Sequence, residues 1–537
     1  MAHPSDTLVQ HRDPPETGGP RRLLEPRRTT ALGQLIKIVL LGLVLGIAVF
    51  AAFPLIEQGA WLMLALLIVV TALIFFVYLS PRTIPAKYLI PGTLFLVVFQ
   101  IFPVLYTMST AFTNFGDGHR GDKQAAITSI ESASFTTAPG AAQYVLTIAA
   151  RGPASGDLVF LLTDAATKTV SIGTAEGLSP APTGDNPQLA PDGKVTSIGG
   201  YTILNLAQAA ERSGAIQLLQ VPVGGGVIKA QGLSAAFQGA PRLTYAEGCD
   251  CITDAADGAT WRADGENGLF TNAQGQSLAQ GWQVNVGLRN FATVVTDPVI
   301  ARHFVRILIW NFAFAILTVL LTFALGLLVA IVLNNERMRG QKIYRSLLIL
   351  PYAMPAFAML LLWRDMFNTD FGLVNRLFHL DVNWFGQSAS SMVAILLVQV
   401  WMGYPYMFLV STGALQAIPA DLKEAAAVDG AKPFRAFRTV VFPLLLVALA
   451  PLMIASFAFN FNNFNAIYLV SEGGPFPADS PQAGATDLLI TYTYRIAFGG
   501  QGAQYGLAAA ISIFIFLIVA VVSVIGFRRT HVLEEIN

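Results

Sequence analysis

The chain has 537 residues, of which 54% are hydrophobic and 12% charged, and its net charge is zero. Soluble domains carry about 25% charged residues, so the composition points to a membrane protein, and the zero net charge names no partner and gives no sign of a nucleic-acid one. The two cysteines are too few for a disulfide scaffold or a four-ligand zinc site.

Residues 1–33 are rich in Pro and Arg, with Arg12, Arg21, Arg22, Arg27 and Arg28. Such a segment cannot build a packed core and reads as a disordered cytoplasmic tail. The apolar run that follows starts too late and is too long for a cleaved signal peptide. A spanning helix needs about 20 mostly apolar residues. Runs of that kind lie near 35–55, 60–80, 87–112, 304–333, 344–367, 391–415, 439–461 and 505–527. The basic clusters fall between them. They are the N-terminal tail, then Arg82 and Lys87, then Arg337, Arg339, Lys342 and Arg345, then Lys423, Lys432, Arg435 and Arg438, and last Arg528 and Arg529. All share one face when eight segments cross, and the positive-inside rule makes that face cytoplasmic, with both termini on it.

The stretch 113–290 has a different character. Strand-like runs at 143–149, 157–163, 194–204 and 215–223 alternate with turn signals such as Pro153-Ala154-Ser155-Gly156 and Gly224-Gly225-Gly226. It reads as a mostly-β extracytoplasmic domain. Cys249 and Cys251 lie in it. Two free thiols are the simpler state, and a bridge between them is the alternative that an oxidising compartment allows. Segments 368–390 and 462–504 read as shorter loops on the same side. The expected fold is thus an all-α polytopic membrane protein of eight helices with a mostly-β domain inserted after the third. Its parts are a tail (1–33), helices one to three (34–112), the insert (113–290), a core of helices four to eight (291–530) and a short cytoplasmic tail (531–537).

No phosphate-binding Gly-x-x-x-x-Gly-Lys-Ser/Thr loop, metal-ligand spacing or nucleophile elbow is present in the sequence. An enzymatic role is not expected, and no cofactor is expected on this chain. Charges deep in the apolar runs are scarce, unlike those of proton-coupled carriers; Arg364 and Asp365 read as a solvated helix end.

The loop 419–443 is the most informative segment. Pro419 biases Ile418 away from helix and closes the preceding span. Residues 424–428 form a short helix with a small-residue face, and Gly430 supplies the positive φ that a helix C-terminus favours. Residues 433–440 read as a second short amphipathic piece with Phe434, Phe437 and Val440, and Pro443 stiffens the next span. The order is Glu424-Ala425-Ala426, three residues to Gly430, nine residues to Val440, then Phe442 and Pro443. Asp429 and Ala431 flank the glycine. An ordinary interfacial connector has no need of this spacing.

A second group of residues suits a sugar, whose pyranose faces stack on aromatic rings and whose hydroxyls meet amides. Phe459-Asn460-Phe461-Asn462-Asn463-Phe464 places both types in one apolar run. Three Asn in a span are costly unless paired or facing a cavity. Tyr352, between Pro351 and Pro355, and Tyr406, after Pro405, fall at expected proline breaks of spans five and six.

From about residue 285 onward the chain resembles the larger permease subunits of maltose/maltodextrin ABC importers, the MalF type. The resemblance rests on the loop above and on Leu348-Ile-Leu-Pro-Tyr-Ala-Met-Pro355, Trp401-Met-Gly-Tyr-Pro-Tyr-Met407, the run 451–464 and the run 487–498. It implies a type I ABC importer permease in the bacterial inner membrane. Glu424, Ala425, Ala426, Asp429, Gly430, Ala431 and Pro443 would belong to the loop that docks on a separate ATPase. Val440 and Phe442 stand where Ile and Leu are usual. The resemblance further implies sugar contacts at Tyr352, Gln399, Gly403, Tyr406, Phe459, Asn460 and Asn463. Ala356 replaces an expected Ser and Gln399 an expected Asn, which leaves trehalose open beside maltose. The implied partners are a second permease (MalG type), an ATPase homodimer (MalK type) holding ATP and Mg²⁺, a periplasmic sugar-binding protein and the bilayer. A membrane receptor with a ligand-binding insert is the alternative of another class; the loop and the Asn/Tyr group argue against it.

Overall fold

The computed structural model describes residues 31–57, 59–80, 83–137, 142–181, 187–224, 226–334, 338–478, 480–499 and 502–536. Of the sequence features above, residues 1–30 of the Arg-rich tail, Arg82, Gly225 and Arg337 lie outside the described residues. The chain forms two units, residues 1–105 and 106–537.

The first unit contains α1 (Ala31–Glu57) and α2 (Trp61–Leu79), and the helix α3 (Ile84–Thr110) begins in it. These helices are apolar on every face, with only Leu41 and Val77 buried among the described residues of α1 and α2. A helix apolar all round suits lipid rather than water. The expected tail end, 31–33, is already helical. A π-turn at Val97–Ile101 precedes Pro103. Proline has no N–H and its ring crowds the preceding turn, and a wider turn relieves both.

In the second unit α4 (Lys123–Ala133) is capped by Asp122, whose carboxylate accepts from Ala125 N. It precedes a nine-stranded antiparallel sheet with the central order 177–180, 170–174, 158–164, 143–151, 235–241, 226–231 and 221–223. Leu146, Ile148, Phe160, Leu162, Val221 and Ile228 form its core. A separate four-stranded sheet (243–246, 251–254, 260–264, 269–271) packs Ile252 and Phe270 on Ile127 and Ile130 of α4. The region is β-rich, so the chain as a whole is not all-α.

Two strand readings change. The run 194–204 splits into Val195–Ser197 and Tyr201–Ile203 around Gly200 at φ 76°. The run 215–223 opens as the helix Ser213–Leu218, with Ile216 buried in the sheet core, and only Val221–Val223 is strand. Ala, Gln and Leu favour that helix over a strand. Cys249 and Cys251 are bonded to each other and are not free thiols; a tight turn holds their Cα atoms 5.2 Å apart. Asp250 between them sits at φ 49°, and its carboxylate accepts from Lys123 Nζ at 2.5 and 2.6 Å and from Tyr245 Oη at 2.7 Å. The lysine first, then the tyrosine, holds this carboxyl below its usual range.

The helical part follows. It comprises α5 (Arg289–Thr296), α6 (Pro298–Leu333), α7 (Gln341–Ile349), α8 (Ala356–Met366), α9 (Ser388–Ala417), α10 (Ala420–Val428), α11 (Pro433–Phe461), α12 (Leu489–Phe498) and α13 (Tyr505–Ile536). Asp297 caps α6 by accepting from Val299 N and Ile300 N, with Pro298 at the first helical position. Gly326 of α6 lies against the backbone of α9, where a Cβ would sit 2.6 Å from Phe408 N. Among the described residues seven helices are long and apolar enough to cross a membrane, and α7 with α8 makes an eighth if that pair is one span.

That pair contains the proline break expected in the span read at 344–367. A 3₁₀ turn, Leu350–Ala353, separates α7 and α8, and the pair is bent by 92°. Pro351 and Pro355 remove two donors, and Met354, before the second proline, is extended. The opposite happens at Pro405, where the expected break is absent and α9 runs through. The expected loops also hold helices: Leu373–Phe378 in the first, Phe464–Tyr468 and α12 in the second. The expected C-terminal tail continues α13 to Ile536.

Candidate functional site

A cavity of about 540 Å³ opens between α6, the α7–α8 break, α9 and the end of α11. Its size falls in the range of about 300–1,000 Å³ usual for small-molecule sites. Tyr352, Gln399, Gly403, Tyr406, Phe459, Asn460 and Asn463 all line it. They come from three segments more than 40 residues apart in sequence. Ala356 also lines it, so the position where a Ser was expected presents a methyl to the cavity.

The bend after α7 is what turns Tyr352 inward, and Tyr404 Oη holds the bend by donating to Leu348 O at 3.0 Å. Gly403 faces Thr322 so closely that a Cβ would lie 2.8 Å from the Thr322 methyl. The Asn-rich run is not one span. The helix α11 ends at Phe461, and Asn463 instead caps Phe464–Tyr468, accepting from Ala466 N at 3.2 Å. Only Asn460 lies within the helix.

The amides are partly committed. Asn460 Nδ2 donates to Ser456 O at 2.8 Å, and Asn463 Nδ2 donates to Gln399 Oε1 at 3.2 Å. The Asn460 side-chain oxygen Oδ1, the Gln399 side-chain nitrogen Nε2 and the phenol oxygens of Tyr352 and Tyr406 form no bond among the described residues. Asn460 and Gln399 are each 7% exposed, and both line the cavity. The Phe459 ring is 70% exposed beside them. Free donors, free acceptors and an open aromatic face are the complement of a polyhydroxylated ring. Thr318, Thr322, Ser456 and Asn465 also line the wall. The i, i+4 spacing of Thr318 with Thr322 was the available signal for the first two.

The loop 419–443 forms a separate feature. Ile418 is extended as Pro419 requires, and α10 starts after it. The helix ends in a two-bond cap, Ala431 N to Ala426 O at 2.9 Å and Gly430 N to Ala427 O at 3.0 Å, with Gly430 at φ 78°. This is the Schellman geometry, which explains why Ala426 and Gly430 stand four apart. Glu424, Ala425, Asp429, Gly430 and Pro443 are exposed, and Ala426 and Ala431 half-buried. The piece read at 433–440 is the start of α11, joined to it by a π-turn, Phe437–Val441, that accommodates Pro443. Val428 is 87% and Phe434 75% exposed, an apolar surface beside acidic Glu424 and Asp429. Behind the loop lies a cavity of about 490 Å³ lined by Ala427, Ala431, Phe437 and Leu415.

A cavity that carries amide and aromatic side chains among membrane-length helices, with an exposed short helix on one connecting loop, is the architecture of a transport permease. Comparison with known proteins agrees. Residues 322–531 match the binding-protein-dependent transport system inner membrane component, and residues 94–176 match the N-terminal of TM subunit in PBP-dependent ABC transporters. The maltose/maltodextrin transport system permease protein MalF of Photorhabdus laumondii is 34% identical over 89% of this chain and 92% of its own. That of Salmonella typhimurium is 33% identical over 92% and 96%. A solved bacterial ABC transporter involved in the import of the acidic polysaccharide alginate is similar over 46% of this chain and 83% of its own, at 20% identity and a TM-score of 0.40. The chain belongs to the MalF family of ABC-importer permeases.

Proposed function

We propose that this chain is the membrane permease subunit of an ABC importer for maltose and maltodextrins, working by alternating access. The observation that carries the reading is the cavity, where buried amides with unspent hydrogen-bonding groups face an exposed aromatic ring. The family relatives, which are named for maltose/maltodextrin transport, support the same class of ligand. Eight crossings, with α7 and α8 as one broken span, keep the basic clusters on one face, which supports cytoplasmic termini in the inner membrane and an extracytoplasmic 113–290 inserted after the third span. Domain limits follow as 34–112, 113–290 and 291–530.

The loop 419–443 is the coupling element. Its exposed Glu424, Val428 and Phe434 suit a cleft of a separate ATPase subunit, MalK type and dimeric, which holds ATP and Mg²⁺. Closure of that dimer carries α10, and through the continuous α11 it moves Phe459 and Asn460. A helix running unbroken from loop to cavity is a rigid lever. A second permease, MalG type, and a periplasmic sugar-binding protein complete the importer.

Gln399 and Ala356 favour one further reading, a related disaccharide such as trehalose. The test is uptake of labelled maltose by the reconstituted four-component complex, competed with a panel of α-linked disaccharides. Maltose uptake that only α-1,4-glucans compete supports the first reading. Competition by trehalose at lower concentration than maltose supports the second. No uptake of any α-glucoside overturns both.

A further inference from the structure

Polar side chains within an apolar spanning helix are costly unless bonded. One face of α6 nonetheless carries His303, Arg306, Trp310 and Asn311 at helical spacing, and each of them bonds the segment 480–489. His303 Nε2 and Ser480 Oγ are hydrogen-bonded at 2.7 Å, Arg306 Nη2 donates to Ala483 O at 2.7 Å, and Trp310 Nε1 donates to Thr486 O at 3.2 Å. Asn311 accepts from Leu489 N at 2.8 Å through Oδ1 and also donates through Nδ2 to Phe461 O at 2.9 Å. Its side chain is fully buried and does not line the cavity.

Both partners are helix ends. Phe461 is the last residue of α11, where a carbonyl has no acceptor role within its own helix. Leu489 is the first residue of α12, where an N–H has no intrahelical acceptor. A single amide, using both its ends, satisfies the two. Phe461 directly follows Asn460 and stands two residues before Asn463, whose Nδ2 meets Gln399. The position at which α11 stops therefore fixes where two cavity amides point.

We propose that Asn311 is a positioning residue of the sugar site: it seats the end of α11 against α6 and α12, sets the place of Asn460 and Asn463 in the cavity, and makes the 480–489 segment move with them. The inference rests on the cavity being the sugar site, and Asn311 acts on the sugar only through those neighbours.

The test uses the full complex in liposomes with the wild-type chain, Asn311→Leu and Asn311→Asp. Labelled maltose uptake gives KM and maximal rate per assembled complex, and hydrogen exchange follows 462–464 and 489–491. In Asn311→Leu both segments lose protection and KM rises about tenfold, the effect of one misplaced cavity hydrogen bond, while the maximal rate stays within about twofold, as expected for lost binding. Asn311→Asp keeps the acceptor for Leu489 and loses the amide donor to Phe461, so it loosens 462–464 alone and still raises KM. If Asn311→Leu fails to assemble, Asn311→Asp carries both readouts. Loosened segments with unchanged KM overturn the positioning role, as does unchanged exchange in both variants. A wild-type complex that takes up no maltose overturns the sugar reading instead, and the exchange arm then decides alone whether Asn311 holds the two helix ends.

Discussion

The cavity and the exposed helix α10 differ in how their residues are held. In the cavity, Gln399 and Asn460 are buried and bonded, and Gly403 sits where a methyl has no room. On α10 no residue is buried, and Gly430 has open space around it. The buried cavity side chains hold this chain together as well as lining the cavity. The α10 side chains are mostly exposed, among them the apolar Val428, and an exposed apolar surface of this kind suits a partner. Function and stability should therefore separate at α10 and travel together at the buried amides of the cavity.

The largest effect should come from Gly430→Val. A β-branched residue at φ 78° is strained by about 1–2 kcal/mol even with open space, so the Schellman cap opens and α10 loses its docking pose. Uptake should fall to background while the melting temperature of the chain in detergent stays within a few degrees. Gly430→Asn, which tolerates the left-handed region, should keep most uptake. A valine variant that transports normally would break the contrast at its stronger end.

Asn460→Ala comes next. It removes the free cavity acceptor and the bond to Ser456. Uptake KM should rise about tenfold, and the chain should lose about 1 kcal/mol of stability, measured by denaturant midpoint. Unchanged affinity for sugar would remove Asn460 from the site. A smaller effect is expected for Tyr352→Phe, whose hydroxyl is unbonded and whose ring is exposed. A two- to fivefold rise in KM with no change in stability is the outcome expected for one solvent-competed hydrogen bond.

The smallest effect on transport belongs to Asp250→Asn, which probes a third region. Lys123 and Tyr245 lower the Asp250 pKa in the folded chain. A lowered carboxylate contributes stability that is complete above the unfolded value, about 3.9, and is lost as pH falls through the folded value. Acid unfolding followed by tryptophan fluorescence should therefore begin at higher pH in Asp250→Asn, with uptake at neutral pH unchanged.

Several parts of this fold were legible because they depend on local pattern. Apolar runs of about 20 residues mark helices whatever they pack against. The Pro419, Gly430 and Pro443 positions likewise report φ and hydrogen-bond limits that are local to each residue. Prolines were read less evenly. Pro351 and Pro355 break their segment, and Pro405 does not, because a proline in a helix packed on both sides is tolerated when neighbours hold the backbone. The helix Ser213–Leu218 was missed although Ala, Gln and Leu favour it, and burial of Ile216 in the sheet core adds to that preference.

The sequence by itself determined the membrane class, the apolar helical runs, the β-rich character of 113–290 and the local geometry of the loop 419–443, all of which follow from composition, run length and backbone restrictions over a few residues. Only the tertiary structure decided that three distant segments share one cavity, that α11 stops at Phe461, that Cys249 and Cys251 are joined, and that Asn311 holds two helix ends. Those are matters of which residue meets which across space, and a buried amide declares its partners only once the helices around it are packed.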